Sequence, residues 1–272
     1  KEAASGAELV VFPELSNTGY ITPIAIGSEA DFDGETSGLD FLVKFKKAAE
    51  PVPGPTTELL SQAAQLHNVY IVVGMAQTHP KIHGTLYNSA VLIGPTGIIG
   101  MQHKVHIPNN ERWLFYPGEA PQTFETALGK IGMSICYDGH FFPEMNRIQA
   151  LNGAEIICEI ANVGGGSKSA APSAFHPFPM KQIAYTRALE NACYYIHLNR
   201  TGTEGSTRFG GNSAIAAPDG TFIAQTESDQ EIALTADMCD EEIMYARSTL
   251  AVYRDRRPDL YEILVAPLSS PI

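Results

Sequence analysis

The sequence is short of positive charge. Lysine and arginine together number 18 against 30 aspartates and glutamates, so the formal net charge is −12. Nucleic acid and anionic membrane surfaces are recognised through basic patches, so neither is expected as a partner. Cysteine is also scarce. Cys136, Cys158, Cys193 and Cys239 form no CxxC pair and match no zinc-ligand spacing. Four thiols scattered over 272 residues do not make the disulfide framework of a small secreted domain, which points to a reducing, cytoplasmic setting. No apolar run reaches transmembrane length, and no signal peptide is expected. The glycine-rich stretches GPTG (94–97) and GGGS (164–167) lack the lysine and the strand–helix context of a phosphate loop.

What is present suits a globular chain. Hydrophobic residues make up 44% and charged residues 18%, enough apolar material for a sizeable core. No low-complexity linker divides the chain, so residues 1–272 read as a single domain. The opening KEAASG has the pattern of the last turns of a helix closed by Gly6. A helix without a beginning implies an N-terminal piece ahead of Lys1. Short apolar, β-branched runs predict strands at 7–12, 70–76, 87–93, 98–104, 130–136, 154–161, 193–199, 213–217, 221–225 and 231–238. Helical spacing predicts helices at 56–68, 143–152, 180–192 and 240–248, the first from Leu59, Leu60, Ala63, Ala64 and Leu66. Strands alternate with helices and are apolar on both faces, which predicts an α/β domain of layered sheets covered on each side.

Three predicted strands end on reactive side chains. Glu14 follows the LVVF run, Lys104 closes the fourth strand and Cys136 closes the fifth. Ligands of α/β sheets collect outside the carboxyl ends of strands, so the three can meet in one pocket. Their chemistry is coherent. A thiol at its ordinary pKa needs a base, a buried glutamate can supply one, and a fixed ammonium can stabilise an oxyanion. Taken alone, a cysteine at a strand end is more often a small core hydrophobe, and a strand-end Glu or Lys is more often a solvated turn residue. Cys158 and Cys193 lie inside apolar patterns and read as packing, and Cys239 as a neighbour of a helix cap. His140 invites a cysteine–histidine pairing, but it is too near Cys136 in the chain to judge.

The segments LVVFPELSNTGY (9–20), HKVHIPNNERWLFYPGE (103–119) and GMSICYDGHFFPEMNRIQALNGAEII (132–157) together resemble the nitrilase, or carbon–nitrogen hydrolase, superfamily. Its signature is a Glu–Lys–Cys triad in this chain order. ALENACYYIHLNRTG (188–202), GGNSAIAAPDG (210–220) and YRDRRPDLY (253–261) are similar to later family segments, so the resemblance covers nearly the whole chain. It implies a four-layer α-β-β-α sandwich that pairs through outer helices into a homodimer or higher homo-oligomer. It implies Glu14 as general base, Lys104 as oxyanion stabiliser and Cys136 as nucleophile. Glu111 would orient Lys104 or the substrate. The Tyr137 backbone N–H would help bind the oxyanion, and Asn162 would contact the substrate. No metal or organic cofactor is implied.

Two departures from the family pattern stand out. The opening central strand and the start of the first helix of the family are missing ahead of Lys1. The branch acting on N-carbamoyl-D-amino acids carries arginines shortly after its cysteine, where this chain has Gly139 and His140. Nitrilases usually show Cys-Trp-Glu, where this chain has Cys-Tyr-Asp. The resemblance therefore implies an amidase acting on small linear amides. An N-carbamoyl (ureido) substrate comes second and a nitrile third, and a catalytically silent binding module is the alternative from another class. Trp113, Phe141, Phe142 and Phe175 suggest an aromatic-walled pocket.

Overall fold

The computed structural model describes residues 3–20, 38–167, 180–204, 207–226 and 230–266. Two sheets form its centre. The first runs β1 (Leu9–Val11), β2 (Tyr70–Thr78), β3 (Leu86–Gly94) and β4 (Gly97–His103), with β1 parallel to β2 and the remaining pairs antiparallel. The second contains β5 (Thr123–Thr126), β6 (Gly129–Ile135), β7 (Ile156–Ala161), β9 (Tyr194–Asn199), β12 (Ala214–Ala216) and β13 (Phe222–Gln225), neighbours in that order. Its central strands β6, β7 and β9 are parallel. A small third sheet joins β8 (Gly164–Ser167), β11 (Thr207–Gly210) and β10 (Thr201–Glu204). The helices are α1 (Gly38–Ala48), α2 (Pro55–His67), α3 (Tyr137–Phe141), α4 (Pro143–Leu151), α5 (Met180–Asn191) and α6 (Asp240–Leu250).

Strand alternation sets the layers. Successive side chains of a strand point to opposite faces, and here both faces are apolar. Val72, Ala90 and Leu92 of the first sheet pack inward on Met133, Ile135, Cys158 and Ile160 of the second. Ile71, Val73 and Met75 turn outward onto Ala64 of α2. Ile157, Tyr195 and Ala214 turn outward onto Ala184 and Ala188 of α5. The result is the four-layer α-β-β-α sandwich that the sequence implies. Each fully buried Ile or Leu of these interfaces contributes about 1.5–3 kcal/mol.

The ends of the predicted elements shift by at most two residues. Helix α2 starts at Pro55, pre-set for the first helical position, with the Thr57 hydroxyl accepting from the Gly54 amide at 2.9 Å. It stops at Asn68 in the left-handed conformation. Leu60, Ala63 and Ala64 face the sheet, whereas Leu59 and Leu66 point to solvent. The segment 231–238 is not a strand. It runs extended with Leu234, Ala236 and Met238 packed on the core, a period of two without a ladder partner among the described residues. The opening KEAASG gives a 3-10 turn at Ala3–Ser5 and a left-handed Gly6. Helices α1 and α3 and strands β5, β8, β10 and β11 went unpredicted.

Candidate active site

Glu14, Lys104 and Cys136 do converge. Lys104 follows β4 directly and its amide donates to the Asn88 carbonyl of β3 at 2.8 Å, so the neighbouring strand fixes its backbone. Its side chain is wholly buried. Nζ donates to Glu14 Oε1 at 2.9 Å and to both oxygens of Glu111, each at 2.9 Å. Burial alone would lower the Lys104 pKa. Glu111 and Glu14 more than reverse this and hold it well above the ordinary lysine value. The ammonium is therefore a permanent charge with two anionic partners.

Glu14 leaves the end of β1 through Pro13 and comes to lie beside β2. Its backbone passes so close to Gly74 that a Cβ there would sit 2.5 Å from both the Glu14 Cα and the Pro13 carbonyl oxygen. Only glycine allows that approach. The Asn162 Nδ2 donates to the Glu14 carbonyl at 2.7 Å, and the Asn88 Nδ2 donates to Glu14 Oε1 at 2.7 Å. Glu14 Oε2 is buried without a hydrogen-bond partner among the described residues, an open acceptor. Glu111 stands in the 3-10 turn Asn109–Trp113 and also accepts from the Tyr20 hydroxyl at 2.7 Å. Burial pushes the Tyr20 phenol well up, with Glu111 and Glu14 adding to it, so it stays a donor.

Cys136 closes β6 and continues its ladder, donating its amide to the Ile160 carbonyl at 2.8 Å. Then the chain turns hard. Cys136 has φ +50° and ψ −104°, a region that residues with a side chain rarely occupy. This turn delivers Tyr137 as the first residue of α3, whose amide has no acceptor within the helix. Burial and the Glu14 charge push the Cys136 thiol well above its ordinary pKa, while Lys104 and a backbone hydrogen bond from Asn162 oppose them. The resting thiol is neutral and needs a base at the moment of attack.

Asp138 ties the nucleophile turn to the lysine segment. Its carboxylate accepts from the amides of Val105 at 2.9 Å and His106 at 2.8 Å. The His106 Nδ1 lies 2.7 Å from the same carboxylate, and the His106 ring stacks on Phe142 at 3.6 Å between centroids.

Asn162 is buried at this site, with Nδ2 engaged by Glu14 and Oδ1 unpartnered. Phe142 packs against the site through His106, whereas Trp113 and Phe141 are exposed. Phe175 lies outside the described residues. Asn88, Tyr20 and Asp138 were missed by sequence reasoning. Asn88 carried a signal, an amide in the middle of the apolar run LYNSAVLIG. No helix among the described residues is long and apolar enough to cross a membrane.

The carbon–nitrogen hydrolase family model matches residues 1–246. A nitrilase of Pyrococcus abyssi is 33% identical over 265 residues, covering 96% of this chain and 89% of the relative. An omega-amidase of Xenopus tropicalis is 28% identical over 279 residues, covering 97% and 88%. The crystal structure of a carbon–nitrogen hydrolase from Helicobacter pylori superposes with a TM-score of 0.78 at 26% identity, covering 97% of this chain and 89% of that one.

Proposed function

The chain belongs to the carbon–nitrogen hydrolase family, and from that premise we propose that it hydrolyses a linear carboxamide, R–CO–NH2, to the acid and ammonia through a thioester on Cys136. One observation carries the reading. A buried ammonium is bonded to two glutamates beside a strained cysteine turn, and one of those glutamates keeps an unpartnered oxygen.

Glu14 Oε2 takes the thiol proton as Sγ attacks the carbonyl carbon. The negative charge that develops on the carbonyl oxygen is met by the Lys104 ammonium and the Tyr137 amide. Collapse expels the amine, which receives the proton held by Glu14, and ammonia leaves. Glu14 then takes a proton from water, hydroxide attacks the thioester, and Cys136 regains its proton as the acid departs. Glu111 holds Lys104 in place, and Asn88 and Asn162 hold Glu14. No step needs a redox partner.

The test is ammonia release from a panel of neutral carboxamides, N-carbamoyl amino acids and nitriles, each run beside Cys136→Ala. Release from carboxamides that depends on Cys136 supports the proposal. Release confined to ureido compounds overturns the amide assignment. Neither Arg200 nor His140 is disposed to grip a substrate carboxylate. Arg200 pairs with Glu204, and His140 is buried against Glu159. No release from any member, with Cys136 unreactive, would mark a binding module.

A further inference from the structure

The mechanism leaves the buried carboxylate of Glu159 unused. Glu159, in the middle of β7, is wholly buried, and the sequence around it is otherwise apolar, IICEIA. A carboxylate does not stay in a protein interior without partners. Its partners come from two elements. The Tyr195 hydroxyl of β9 donates to Oε2 at 2.9 Å, and His197 Nδ1 of β9 lies 3.1 Å from the same oxygen. His140 Nε2 of α3 lies 2.8 Å from Oε1, close but off the line of a well-formed hydrogen bond. His140 and His197 are both buried. Burial alone would raise the Glu159 pKa, and the two imidazoles reverse this and hold it far below the usual carboxylate range.

The cluster sits directly behind the nucleophile. The His140 amide donates to the Cys136 carbonyl at 3.0 Å, closing the first turn of α3. Between them is Gly139, where a Cβ would lie 2.6 Å from the Glu159 Cδ and 2.7 Å from the Tyr195 hydroxyl. Helix α3 therefore rests on the cluster with no gap. Arg187 of α5 adds a second hold from the same side, donating to the carbonyls of Gly139 at 3.1 Å and His140 at 3.2 Å. Asp138 holds the opposite side of the helix. A five-residue helix cannot keep its own shape, and the backbone of Cys136 is strained. Something outside must fix both.

We propose that His140, Glu159 and His197 form a buried clamp of positioning residues that holds α3, and with it the Cys136 thiol and the Tyr137 amide, in register with Lys104 and Glu14. The three side chains are also the types that ligate a metal, and their ligand atoms all lie within 4.8 Å of one another. The 2.8 Å separation of His140 Nε2 from Glu159 Oε1 is direct contact, shorter than the roughly 3.3 Å expected between two tetrahedral ligands at zinc distances. The clamp reading is the one this geometry favours.

The inference rests on the amidase proposal, and its test separates the two. Wild type, Glu159→Gln, His140→Gln and the double variant are assayed on the best carboxamide of the panel. Rates are normalised to active sites counted by Cys136 labelling. A misplacement of about 1 Å at a reacting group costs about 100-fold, so Glu159→Gln and His140→Gln should each lower kcat about 30- to 300-fold. KM should stay within about threefold. The double variant should be no slower than the slower single one, because both break one unit. Glu159→Asp should recover part of the rate. Should Glu159→Gln not fold, His140→Gln, which leaves Glu159 its Tyr195 and His197 partners, carries the test alone. Unchanged kcat per active site with only a lowered Tm would overturn the clamp while leaving the amidase standing. Elemental analysis of purified wild type giving one divalent cation per chain, lost in Glu159→Gln, would overturn it in favour of a metal site. An inactive wild type would instead overturn the amidase proposal.

Discussion

Replacing Lys104 by methionine removes the one cation that separates Glu14 from Glu111. Each carboxylate lies 2.9 Å from Nζ, so their bonded oxygens are at most about 6 Å apart, which at an effective dielectric of about 20 corresponds to about 3 kcal/mol of repulsion when both are ionised. Loss of one partner from a buried charge pair typically costs about 3–5 kcal/mol. The variant relieves this by taking up a proton. Burial already pushes the Glu111 carboxyl up, and in the wild type Lys104 works against that rise. Without the lysine, the folded Glu111 pKa rises further above its unfolded value of about 4.3. A folded state that binds more protons than the unfolded one loses stability as pH increases. Lys104→Met should therefore be destabilised by about 3–5 kcal/mol at pH 8 and by clearly less at pH 5. Urea unfolding of both proteins at the two pH values measures this. Activity should fall by at least 100- to 1,000-fold, the usual cost of losing one oxyanion donor. An equal loss of stability at pH 5 and pH 8 would refute the reasoning, because it would mean the glutamates do not depend on Lys104 for their charge.

Other substitutions test the backbone that builds the site. Cys136→Gly should be more stable than Cys136→Ala by about 1–2 kcal/mol in urea unfolding, because glycine accepts φ +50° and alanine does not, and both should be inactive. Gly74→Ala should push Glu14 away from Lys104, lowering stability by about 1–3 kcal/mol and abolishing most ammonia release. Asn88→Leu, which strips a donor from Glu14 Oε1, should lower kcat more than it raises KM, as steady-state kinetics would show. Iodoacetamide should label Cys136 before Cys158 and Cys193, because Cys136 keeps 9% of its surface open and has Glu14 as a base, whereas the other two are wholly buried, as peptide mapping would show.

Legibility followed the range of the interactions. Strands β2, β3, β6, β7 and β9 were readable because their apolar runs are bounded by turns and their burial repeats locally. Short β5, with the sequence TFET, has no such pattern, and its pairing with β6 decides it. The segment 231–238 shows the opposite error. Its period-two pattern is real and Leu234, Ala236 and Met238 are half-buried against the core, but periodicity does not supply a ladder partner. Helix α1 carried a signal that was passed over, Phe41 and Phe45 four residues apart, both buried. At the site, Glu14, Lys104 and Cys136 stood out through family resemblance and through their places at strand ends. Tyr20 and Asp138 act through partners 91 and about 33 residues away, which no local pattern encodes. Glu159 was visible as a charge inside IICEIA, but His140 and His197 meet it only when three elements pack.

The central claim is a covalent intermediate on Cys136. Its most direct test is mass spectrometry of acid-quenched enzyme during turnover of an active carboxamide, with peptide mapping of the adduct. A mass increase equal to the acyl group less one hydrogen, confined to the Cys136 peptide and absent from Cys136→Ala, is the predicted result. Turnover by Cys136→Ala, or an acyl group mapped to any other residue, would contradict it.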